Sequence, residues 1–154
     1  MPAWLGAGGI GRASEQSTRT PTGSYTLTQA FGHDSNPGTS LPYVRTTRAD
    51  WWISEPGPLY NTRQRCSSGC PFTRGSPNEP LYETMPYYRY AVVIDYNTRN
   101  APGGVHAGAG SAFFLHVQVG QPTSGCVAIA QDQLVRLLRW LDPARHPRIL
   151  LGLG

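Results

Sequence analysis

Short stretches of period-two alternation, separated by turn residues, dominate this chain, and one stretch near the C-terminus switches to a helical period. Ser24-Tyr25-Thr26-Leu27-Thr28 alternates polar and apolar residues, as a half-buried strand does. Trp51-Trp52-Ile53 is a short strand candidate, and Tyr87 to Tyr96 (YYRYAVVIDY) is predicted as the strongest strand of the first two thirds, rich in β-branched and aromatic residues. Ser111 to Val119 (SAFFLHVQV) predicts another. Its alternation puts Phe114 and His116 on one face and Phe113, Leu115 and Val117 on the other. After a turn at Gly120-Gln121-Pro122, Thr123 to Ala130 leads into residues 131–141, where Leu134, Leu137, Leu138 and Leu141 recur at i, i+3, i+4 and i+7. That is one amphipathic helix, stopped by Asp142-Pro143, and Arg148 to Leu153 reads as a last apolar strand.

The connections are long. Residues 32–50 hold Asn36-Pro37-Gly38 and Leu41-Pro42, which forbid a central strand there. Residues 55–80 are expected to form a surface loop too rich in Gly and Pro to enter the core, and residues 97–110 are a Gly-rich connection. The 18 Gly and 14 Pro among 154 residues limit helix over most of the length. The fold class expected is therefore mainly β, a twisted β-sandwich of short mixed strands with one amphipathic helix packed on it. The length suits one domain, assigned to residues 20–154, with residues 1–19 as a short N-terminal remnant.

Charge changes the picture by exclusion. All 13 basic residues are Arg, against 9 acidic ones, so the net charge is +4 and there is no Lys. Schiff-base and phosphate-loop lysine chemistry is ruled out. The Arg residues are scattered, so no basic stripe suits nucleic acid, while a preference for anionic surfaces is retained. No apolar run approaches the roughly 20 residues needed to cross a bilayer. The first twenty residues lack the basic segment and apolar stretch of a secretory leader.

Cys66 and Cys70 lie four apart in RCSSGCPF and are candidates for a local disulfide, and no further Cys or His follows at zinc-finger spacing. Cys126 is left over. It follows Ser124-Gly125 and stands ten residues after His116, across a Pro turn that brings the two together. A cysteine nucleophile needs a base to take its proton, and strand and turn backbone fixes both groups. Gly125 permits an unusual backbone conformation, and the amides of Gly125 and Cys126 are candidate donors to an oxyanion. For an arbitrary chain, a structural cysteine and a satisfied core histidine would be the commoner explanation.

The run SAFFLHVQVGQPTSGCVAI resembles the signature of the L,D-transpeptidase catalytic domain, the YkuD-like family, in which a strand bearing His precedes a Ser/Thr-His-Gly-Cys segment. TPTGSYTL resembles that family's Thr-Pro-x-Gly turn and strand, and YAVVIDYN the strand before the catalytic one, so the resemblance covers residues 20–153. It implies that Cys126 is the acylated nucleophile and His116 its proton acceptor and donor, the imidazole being oriented by a backbone carbonyl. Thr123 and Ser124 would contact substrate. The implied substrate is a peptidoglycan stem tetrapeptide, whose terminal D-alanine leaves and whose acyl group passes to an amine, without metal or organic cofactor.

The chain departs from the family pattern in three respects. Ser124 replaces a second His, Ala128 replaces an Asn or Arg, and the His-to-Cys interval is shorter than usual. These changes keep nucleophile and base but remove groups that bind or orient the donor. The resemblance further implies an extracytoplasmic, wall-associated monomer. L,D-carboxypeptidase activity and a non-catalytic wall-peptide-binding module are the alternatives. His106 is weighed as a loop residue near the cleft, and His33 and His146 as surface residues. Tyr87, Tyr88 and Tyr90 are expected in packing, Asp95 in a turn, and Trp51 and Trp52 either on sugar or in the core.

Overall fold

The computed structural model describes residues 1–153. In chain order the strands are β1 (Ile10–Gly11), β2 (Thr20–Pro21), β3 (Gly23–Gly32), β4 (Tyr43–Arg45), β5 (Asp50–Trp52), β6 (Arg63–Arg65), β7 (Glu79–Pro80), β8 (Ala91–Ile94), β9 (Phe114–Val117) and β10 (Val127–Ile129). The helix α1 (Gln131–Trp140) and the strand β11 (Arg148–Leu151) follow. The principal sheet runs β10-β9-β8-β3-β11, with β4 also on β3. β3 is long enough to bend: a register shift between Leu27 and Ala30 lets its first half pair with β11 and its second half with β8 and β4. β8 and β9 are antiparallel, whereas β9 and β10 are parallel.

The period-two reading of the central strands explains how the layers form. In β8, Val92 and Ile94 join one core with Leu115, Val117, Val127 and Ile129, while Ala91 and Val93 join another with Phe31, Phe114 and Trp52. Both faces of β8 and β9 are covered, so every residue in them is buried. α1 closes the first face with Leu134 and Leu138, joined by Leu141 just past its end, and full burial of Leu134 and Leu138 stabilises the layer by about 2 kcal/mol each. A three-stranded sheet, β6-β5-β7, stands beside the second face and sends Trp52 into it. The mainly β sandwich with one helix is thus the architecture seen.

Several local expectations are corrected. Tyr87–Arg89 is a 3₁₀ turn and only Ala91–Ile94 is strand, because Pro86 and the packing of Tyr88 fold the aromatic half back over the sheet. The 55–80 segment is not merely surface loop. It supplies β6 and β7 and buries Tyr60, Asn61, Phe72 and Asn78. Asn61 accepts from the Trp52 indole N–H (2.9 Å) and donates to the carbonyl of Asn97 (2.7 Å), so both tryptophans fill core rather than face solvent. Buried Asp50 in β5 is held by Arg63 at 2.9 Å and by Arg65 through two bonds of 2.9 and 3.0 Å. Burial opposes the Asp50 charge, but these partners hold its carboxyl below the usual range. Cys66 and Cys70 form a disulfide packed on Trp51 and Ile53.

The residues preceding Thr20 pack on the domain. Trp4 exchanges two backbone bonds with Ala128 (2.8 and 2.9 Å), and Thr123 bonds to Leu5 and Ala7 (2.9 Å each), so this segment extends the sheet beyond β10. Among the described residues no helix is long and apolar enough to cross a membrane.

Candidate active site

Register brings the cysteine and the histidine together. In the parallel β9–β10 pair Ala128 lies opposite His116, so Cys126, two residues earlier, falls on the same face as His116 about one pleat period, roughly 6.6 Å, along the strand. Cys126 and His116 both line one cavity of about 290 Å³. Gly125 is what lets the chain turn into β10 at this point. Its φ is +141°, and a Cβ there would stand 2.7 Å from the Phe113 ring and 3.1 Å from the Arg19 carbonyl, so any side chain would strain the turn.

The His116 Nδ1 lies 2.9 Å from the Val117 carbonyl, which only accepts, so Nδ1 carries the proton and Nε2 is the free nitrogen. Burial pushes the imidazole pKa below its ordinary value of 6.5 and the Val117 bond opposes this only in part. The ring is held edge-on between Tyr87 and Tyr88, each with its centroid 5.6 Å away. Tyr88 is buried, and its hydroxyl donates to the Glu79 carboxylate. In the free protein the Cys126 thiol donates to the Ala112 carbonyl (3.2 Å) and its sulfur accepts from the Phe114 N–H (3.4 Å), rather than bonding to the imidazole. Burial, with the charge of Glu79 adding to it, pushes the thiol pKa up to about 12, so the resting group is a neutral thiol.

Ala112 has φ +59°, sparsely populated for a residue with a Cβ, and its N–H donates to Asn61 Oδ1 (3.0 Å). A buried asparagine thereby fixes the carbonyl that orients the thiol. Thr123 lines the cavity, but its hydroxyl is already engaged. It donates to the Cys126 carbonyl (2.6 Å) and accepts from the Gly125 N–H (3.1 Å), closing the turn that presents Cys126. The Gly125 amide is thus occupied before any oxyanion forms. Ser124 lines the same cavity and is exposed.

The other candidates lie elsewhere. Asp95 is buried and accepts from Thr26, Thr28 and Thr98 (2.8 Å each), which makes it a joint between strands. His106 is exposed and bonded to Gly103 and Asn97, and His146 is exposed. His33 lies at the surface, partly covered by the Tyr82 ring at 4.5 Å and paired with Asp34 at 3.2 Å. Tyr90 packs against the α1-side core, away from this cavity. The residues that sequence reasoning missed are Glu79, which lies in a segment read as loop, and Asn61. Tyr88 is a packing residue, as the strand aromatics predict, and one of the rings it packs on is the imidazole.

A β-sandwich thus presents a histidine on β9 and a cysteine just before β10 to one cavity. The model of the YkuD family, the L,D-transpeptidase catalytic domain, matches residues 1–149, and the chain belongs to that family. Comparison with curated proteins and with solved structures finds no match.

Proposed function

We propose that this protein is a peptidoglycan L,D-transpeptidase that works through a thioester on Cys126, with His116 as its proton acceptor and donor. One observation supports this most: both side chains line one cavity from the same face of β9 and β10, and the His116 tautomer leaves Nε2 free. Because the resting thiol is neutral, the reaction is general-base catalysis rather than attack by a standing thiolate. Substrate displaces the thiol from the Ala112 carbonyl. Nε2 takes the proton as sulfur attacks the carbonyl preceding the terminal D-alanine, and the Cys126 N–H receives the developing oxyanion. Collapse breaks the amide C–N bond, and His116 returns the proton to the departing D-alanine amine. An amine on a second stem then attacks the thioester, C–N forms, C–S breaks, and the proton returns to sulfur. Ser124 borders the donor, and Thr123 acts by holding the loop.

Site of action follows from substrate chemistry: stem peptides lie outside the cytoplasmic membrane, and the Cys66–Cys70 disulfide suits an oxidising compartment. The test is incubation with a disaccharide-tetrapeptide and mass spectrometry of the products. Cross-linked dimer with free D-alanine is the expected result. Tripeptide without dimer would instead make the protein an L,D-carboxypeptidase, and unchanged tetrapeptide would leave only a binding module.

A further inference from the structure

The carboxylate of Glu79 is unexplained by the mechanism above and works against its first half. Glu79 sits on β7, opposite Trp52, and lines the same cavity as Cys126 and His116. Its Oε2 accepts from the Tyr88 hydroxyl, and its Oε1 accepts no hydrogen bond among the described residues. Burial pushes the Glu79 pKa up, the Tyr88 bond opposes this only in part and the charge of Glu15 adds to it; once ionised, Glu79 opposes the thiolate, so its charge is favoured only when a cation shares the cavity.

The surroundings favour a cation. Although the chain has 13 Arg, none of the described ones lines this cavity. A second carboxylate, Glu15, accepts from Ser111 Oγ (2.7 Å) on the cavity wall and from Tyr60. With two carboxylates close by and no Arg on the wall, an approaching ammonium is attracted.

We propose that Glu79 is the acceptor-selecting residue, its carboxylate binding the ammonium of an incoming primary amine beside the acylated cysteine. This rests on the thioester reading. An amine enters at neutral pH as R–NH₃⁺ and cannot attack until it loses a proton. Glu79 takes that proton and becomes the acid. The free amine attacks the thioester carbon, the C–S bond breaks, and the second N–H proton passes through His116 to sulfur. Glu79 then releases its proton to solvent, so one amide, one thiol and one H⁺ leave the cycle. Water needs no such carboxylate, so Glu79 shifts the acyl group from hydrolysis to amine transfer.

The experiment compares wild type, Glu79→Gln and Tyr88→Phe with a disaccharide-tetrapeptide donor and a tripeptide acceptor bearing a side-chain primary amine, alongside the same acceptor N-acetylated on that amine. Acyl-enzyme is followed by intact-protein mass spectrometry and the dimer-to-tripeptide product ratio by chromatography. Glu79→Gln is expected to acquire the acyl group and to lose about tenfold or more in that ratio, as removal of a charged partner does. Tyr88→Phe keeps both the ring on His116 and the carboxylate in the cavity, so it is expected to alter acylation while holding the wild-type ratio. An unchanged ratio in acylated Glu79→Gln would overturn the assignment, as would an equal fall in Tyr88→Phe, which would mean that Glu79 acts only by positioning Tyr88. Failure of wild type to acylate at all would overturn the thioester reading itself, a result distinct from the others.

Discussion

Cys126 holds its proton at neutral pH, and the groups around it say how that proton is lost. Burial and the Glu79 charge raise its pKa to about 12, while burial lowers that of His116 below 6.5. The two shifts have opposite directions but the same consequence: thiol and imidazole are both neutral in the resting site. Acylation by a carbapenem is therefore expected to fall only below pH 6.5, as His116 is protonated and loses its capacity to accept, and to stay flat from about pH 7 to 9. A pH-rate profile by intact-mass spectrometry checks this. An inflection near 8.5, the ordinary thiol value, would show that a standing thiolate is the attacking species. His116 and Cys126 were legible in the sequence because both residue types carry chemistry and sit on either side of a turn. Glu79 was not, because its position beside the thiol depends on the β5–β7 pairing, for which residues 55–80 carry no periodic signal.

At the scale of elements, the β9–β10 register decides whether the site exists. Alternation in SAFFLHVQV correctly put Phe114 and His116 on one face, but the sequence holds no statement of how β10 registers against β9. Gly125 enforces that register by allowing the turn into β10 beside the Phe113 ring. Gly125→Ala is expected to destabilise the fold by about 1–3 kcal/mol, since the new methyl meets the ring and the backbone φ is unfavourable for it. It should also slow acylation by about 100-fold, the usual effect of misplacing a reacting group by an ångström. Thermal unfolding and the acylation rate measure the two effects; normal values for both would show that the turn tolerates a side chain. The helix, by contrast, was legible to within a residue at its end, because its i, i+3, i+4, i+7 leucines and Asp142-Pro143 stop are local signals. The 87–96 segment is strand only at Ala91–Ile94, because the strand propensity of Tyr87 and Tyr88 is overridden by Pro86 and by the packing of Tyr88 on Phe31, Phe114 and His116.

For the whole molecule, the segment before Thr20 supports the site from behind. Trp4 through Ala7 makes backbone bonds to Thr123 and Ala128 on either side of Cys126, and Gly6 packs so closely that a Cβ would stand 3.0 Å from the Gly125 Cα. A variant lacking residues 1–8 should lose a few kcal/mol, at about 1 kcal/mol per backbone bond, and should acylate more slowly than it unfolds would explain. Denaturant unfolding compared with acylation rate checks this, and wild-type values for both would show the segment to be dispensable. Nothing in the Gly-rich composition of residues 1–19 signals this role, because isolated backbone bridges leave no side-chain pattern.

The most direct measurement is the location of the acyl group. The protein is mixed with stem tetrapeptide, quenched in acid, digested and mapped by mass spectrometry, beside Cys126→Ala and Cys66→Ala. The account predicts a tripeptidyl adduct on the fragment containing Cys126 in wild type and in Cys66→Ala, and none in Cys126→Ala. An adduct that survives in Cys126→Ala, or that maps to another residue, would contradict it.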